Sequence, residues 1–80
     1  MKITILFFGV AQDLAEMRQV SLSLTPGCTV GSLRQELSRL YPGMDESLAY
    51  AIAVNEKLSM DERELFEGDI VAVLPPVSGG

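Results

Sequence analysis

Residues 29–43, TVGSLRQELSRLYPG, decide how this chain folds. Thr29 offers the hydroxyl of a helix N-cap. Val30, Leu33, Leu37 and Leu40 follow at steps of three and four, the spacing that lines one side of a helix. Arg34, Glu36 and Arg39 fall off that stripe. Tyr41-Pro42-Gly43 stops the run, because proline cannot continue a helix and glycine suits the turn that follows one. A single helix with one apolar stripe must bury it, and the only large partner left in a chain of 80 residues is a sheet.

The flanking segments read as strands of that sheet. In residues 2–8, Ile3, Ile5 and Phe7 fall on one face and Thr4, Leu6 and Phe8 on the other. Both faces are mostly apolar, more than a half-buried strand needs. Residues 10–17, VAQDLAEM, read as a loop with room for one helical turn. Residues 19–24 alternate again, with Val20, Leu22 and Leu24 on one side and Ser21 and Ser23 on a wet one. After the helix, residues 44–50 are expected to be irregular or a short 3₁₀ turn. Residues 51–54 form a short strand, Leu58 an edge piece, FEGD (66–69) a turn, and residues 69–74 a last strand closed by Pro75. The first and last runs, apolar on both faces, belong in the middle. The expected fold is α+β, a mixed sheet with one main helix across it; residues 1–74 form the domain and 75–80 a tail.

Composition narrows the function. Eleven acids against six bases give a net charge of −5, which argues against a nucleic-acid partner held through its phosphates and suits a basic protein partner. Six of those acids lie between Glu56 and Asp69, and are expected to form a solvated rim. With no histidine and one cysteine, a Ser-His-Asp triad, a Cys-His dyad and the usual zinc sets are excluded. Cys28 lies in a turn with no basic neighbour in sequence to activate it. No apolar run reaches the ~18 residues of a membrane span, and residues 3–8 are too short for a signal-peptide core, so the expected location is the cytoplasm, away from membranes.

The ending PPVSGG (75–80) raises a different possibility: that the terminal carboxylate is the working group. Pro75 and Pro76 fix φ and cannot extend a hydrogen-bond ladder, so they direct the chain off the body. Gly79 and Gly80 lack a Cβ and can thread a narrow channel. Val77 is a candidate apolar anchor and Ser78 a candidate hydrogen-bonding group at a channel mouth. Fully extended, residues 75–80 reach about 20 Å. A frayed tail is the competing reading. Phe8 and Leu74 are expected on the sheet face away from the helix, with Leu58 joining from the edge. Either a loop covers that face or it is a partner-binding patch.

The element order resembles the ubiquitin β-grasp. The stretches ILFFG (5–9), Val54-Asn55 and EGDIVAVLPPVSGG (67–80), with the overall length, resemble the small subunit of molybdopterin synthase. Where that family often carries Arg-Glu-Leu after the first strand, this chain has Gln12-Asp13-Leu14; Val73 and Leu74 stand where aromatic residues often precede the prolines. The resemblance implies a sulfur carrier that is not an enzyme on its own and holds no cofactor. Gly80 would be adenylated by an ATP-using activating enzyme and converted to a thiocarboxylate. The carrier would then insert its tail into a large catalytic subunit, in a heterotetramer, and give its sulfur to cyclic pyranopterin monophosphate. Competing functions are a thiamine-pathway sulfur carrier, usually shorter and without the LPPV run, a ubiquitin-like protein modifier, and a binding module with an inert tail.

Overall fold

Among the described residues of the computed structural model the elements run β1 (Lys2–Phe7), α1 (Val10–Ala15), β2 (Gln19–Ser23), α2 (Val30–Leu40), β3 (Ala51–Val54), β4 (Lys57–Leu58) and β5 (Ile70–Leu74). The structure describes residues 1–45 and 48–76, so readings that touch Glu46, Ser47 or residues 77–80 lie outside the described residues. The strands lie in the order β2-β1-β5-β3-β4. The β1–β5 pair at the centre is parallel and the other pairs are antiparallel. The two runs with two apolar faces therefore do occupy the middle.

Ile3, Ile5 and Phe7 from β1, Val71 and Val73 from β5, and Ile52 and Val54 from β3 form the sheet's side of one core with Val30, Leu33 and Leu37 of α2. The first turn of α2 has no orphan donors. Ser32 N–H donates to the Thr29 hydroxyl at 3.2 Å, while Val30 and Gly31 donate to the carbonyls of Arg63 and Asp61, each at 2.9 Å. The far end departs from the expected stripe. Leu40 is exposed, and Tyr41 instead packs its ring edge-on against Phe7, centroids 5.5 Å apart. Tyr41 caps α2 in an extended conformation, φ −129° and ψ 93°, so the direction of its ring is set by the turn that ends the helix and not by the helical period. Met44, fully buried, closes the core beyond it.

The segment after β1, read as a loop with room for one helical turn, is a six-residue helix. Its buried side consists of Ala11 and Ala15, too small to register as an apolar stripe. Arg34 ties α2 to the loops around it. Its Nε donates to Asp61 Oδ1 and its Nη1 to the Tyr50 carbonyl, both at 2.8 Å, and the guanidinium lies 4.8 Å from the Tyr50 ring centre. Burial pushes the Tyr50 phenol up, and the charge of Arg34 offsets part of that rise.

The acid-rich segment is more than a solvated rim. Asp69 is buried, accepting Asn55 Nδ2–H at 3.0 Å on Oδ1 and the Phe66 N–H at 2.8 Å on Oδ2. Asn55 in turn accepts the Ile70 N–H at 3.0 Å and donates its own N–H to the Ile70 carbonyl at 2.8 Å. This pair pins the turn before β5 to the end of β3. Asp69→Ala removes the acceptor of two part-buried hydrogen bonds and is expected to destabilise by about 1–3 kcal/mol. At about 4–8 °C of Tm per kcal/mol for a domain of this size, thermal unfolding will register the loss; an unchanged Tm would show the pair to be idle.

Candidate functional site

The site grows from the ends of the two central strands. Register pairs Phe7 with Val73, so Phe8, the first residue past β1, follows beside Leu74, the last residue of β5. Directly paired residues share a face. Leu6 pairs with Ala72, Ala72 with Ala53, and Ala53 with Leu58, which draws one apolar row across β1, β5, β3 and β4 on the side away from α2. Leu74, paired with Ala51, lies one step along β5 from that row and Ile70 one step the other way. Among the described residues this face is open around a buried Ala53: Phe8 is 46% exposed, Leu58 75% and Ile70 49%, and Leu6, Ala72 and Leu74 are half-buried. Leu58 and Leu74 thus lie on the face away from α2, and Phe8 stands exposed at the end of β1 beside them. Ile70 was missed by the sequence reading. The signal was there, since Val71 and Val73 pointing inward force Ile70, Ala72 and Leu74 outward.

The exit of the chain is built against this patch. Gly9 has φ 55° and ψ −135°, a conformation that suits residues without a Cβ, and a Cβ placed there would meet Pro75 Cγ at 3.6 Å. The Phe8-Gly9 corner therefore abuts Pro75, which is half-buried, and Pro76 beyond it is exposed. Val77, Ser78, Gly79 and Gly80 lie outside the described residues.

Little else has the makings of chemistry. Among the described residues no group of three or more His, Cys, Asp or Glu is placed to hold a metal ion, and no helix is long and apolar enough to cross a membrane. Cys28 is half-buried, its Sγ 3.6 Å from the carbonyl of Thr29. Of the acids between 56 and 69, Asp61 is taken by Arg34, Asp69 by the β5 turn and Glu67 by the Lys2 N–H at 2.9 Å.

Known proteins share both the sequence and this shape. The ThiS family model matches residues 5–80. The molybdopterin synthase sulfur carrier subunit of Mycobacterium tuberculosis is 31% identical over 81 residues, an alignment covering 99% of this chain and 98% of the relative. A chain in the complex of subunits 1 and 2 of the molybdopterin-converting factor from Helicobacter pylori superposes with a TM-score of 0.71 at 29% identity, over 100% of each chain. Small archaeal modifier protein 1 of H. volcanii superposes with a TM-score of 0.84, over 95% of this chain and 98% of that one. At 19% identity the last likeness speaks for the β-grasp fold alone.

Proposed function

This chain belongs to the ThiS family, and from that premise we propose that it is the sulfur-carrier subunit of a molybdopterin synthase. The observation that carries the reading is the placement of the exit: a central strand ends at Pro75 beside an uncovered apolar patch. A tail delivered into a partner's active site needs a docking surface next to its root, and here the two are contiguous. The relative from H. pylori, in complex with subunit 2, supports a large catalytic subunit as the partner. Phe8, Leu58 and Leu74, with Pro75 and Pro76, form the docking surface; Val77 and Ser78 meet the channel mouth, and Gly79 and Gly80 pass through it.

The chemistry uses the α-carboxylate of Gly80, a poor electrophile until activated. An adenylating enzyme lets a carboxylate oxygen attack the α-phosphate of ATP, releasing pyrophosphate and leaving an acyl-adenylate. A sulfur nucleophile displaces AMP and leaves a thiocarboxylate. In the large subunit that sulfur moves to cyclic pyranopterin monophosphate as part of the dithiolene, and water returns the carboxylate. The carrier itself supplies reach and fit in this sequence; it binds no cofactor, and its working place is the cytoplasm.

Reconstitution with the activating enzyme, ATP and a sulfur donor tests the reading. The expected result is an AMP adduct, then the exchange of one oxygen for sulfur in the C-terminal peptide, and then molybdopterin once the large subunit and precursor are added. A thiazole product instead would make it a thiamine-pathway carrier, and amide conjugates on lysines a protein modifier. Cys28→Ser is expected to load and deliver sulfur as the unaltered chain does. Loss of loading in that variant, with its fold intact, would shift the sulfur to a persulfide on Cys28.

A further inference from the structure

The two edges of the sheet are unlike. The β4 edge is two residues long and carries Lys57. The β2 edge runs for five, Gln19–Ser23, with no charge and no proline to block pairing. Its backbone bonding pattern is set at the ends. Met1 and Leu24 exchange both bonds, at 2.8 and 2.7 Å, and Phe7 N–H donates to the Arg18 carbonyl at 2.8 Å. With the register of β1 on β2, alternation gives the inward bonds to Leu22 and Val20. The peptide groups of Gln19, Ser21 and Ser23 therefore face outward, and no hydrogen bond to them from another segment occurs among the described residues.

We propose that β2 pairs antiparallel with β2 of a second copy, about a two-fold axis through Ser21, to give a continuous ten-strand sheet. The strand complements itself. Ser21 would meet Ser21 and Gln19 would meet Ser23, small uncharged pairs with both peptide groups bonded. On the core side Val20 would meet Leu22, covering two residues that the monomer leaves half-buried, and Leu24 would lie opposite Arg18 of the copy. The axis stands perpendicular to the sheet, so both apolar open faces and both tail exits remain free. The inference is independent of the sulfur-carrier reading. The net charge of −5 per chain opposes the contact, so pairing strengthens with added salt.

Sedimentation velocity from micromolar to millimolar protein in high salt is expected to show a monomer–dimer equilibrium. Ser21→Pro removes only the outward N–H, a change an edge strand tolerates, and Ser21→Lys sets two cations against each other across the axis. Each is expected to abolish the dimer while leaving the Tm unchanged. In the unaltered chain, a mixture of carbon-13-labelled and unlabelled protein is expected to give an intermolecular Hα–Hα NOE between Val20 and Leu22, which decides the matter even where a variant fails to fold. A monomer at millimolar concentration, a dimer without that NOE, or a dimer that survives both folded variants would overturn the proposal.

Discussion

Removing Gly80 is expected to abolish sulfur transfer while leaving the domain as stable as before. The shortened chain ends in a carboxylate on Gly79, about 3.3 Å short of the reacting position. A misplacement of only ~1 Å can lower a rate a hundredfold, so turnover is expected to drop by at least about that factor. Adding one residue after Gly80 fails for a different reason: the old carboxylate becomes an amide, and a side chain enters a channel shaped for glycine. The buried core draws on β1, α1, α2, β3, β5 and the loops between them, so neither change reaches it and both variants are expected to unfold at the original Tm. AMP-adduct formation followed by single-turnover transfer to the pterin precursor measures the effect. Undiminished transfer without Gly80 would make the double glycine an idle end.

Phe8→Ala is expected to weaken the complex with the large subunit by roughly thirtyfold, the consequence of losing an interface anchor worth about 2 kcal/mol. Phe8 is 46% exposed in the isolated chain, so its truncation removes little packing from the core and the Tm is expected to hold. Titration calorimetry of the carrier against the large subunit reads the Kd. An unchanged affinity would move the interface off this face. Leu58→Ala, on the same row through Ala53, is expected to act in the same direction, and Ile70, exposed beside it, belongs in the same scan.

Much of this architecture was legible because each long-range partner announces itself by a local period. Two strands apolar on both faces had to be central, and β1 and β5 are the parallel central pair. The stripe of Val30, Leu33 and Leu37 needed a sheet to lie on. What stayed hidden has no such period. Helix α1 buries only Ala11 and Ala15, and a pair of alanines in six residues does not outweigh a loop reading. The bond between Asn55 and Asp69 joins residues 14 apart whose types suit turns equally well when unpaired. Tyr41 packs on Phe7 from extended backbone just past the end of α2, where the helical period no longer says which way a side chain points. At the site, the patch of Phe8, Leu58 and Leu74 followed from period-2 logic, but that it lies uncovered depended on where the 59–69 segment runs. It runs instead to the start of α2, through Gly31 to Asp61, Val30 to Arg63 and Leu65 to Cys28.

The most direct test is the intact mass of the protein purified from its own cells, with fragmentation to locate any modification. A fraction of the chains is expected to carry sulfur in place of one oxygen, placed by the fragments on the carboxyl group of Gly80. Sulfur found only on Cys28, or a C-terminus that stays a plain carboxylate when the activating enzyme, ATP and sulfur donor are all supplied, would contradict the account.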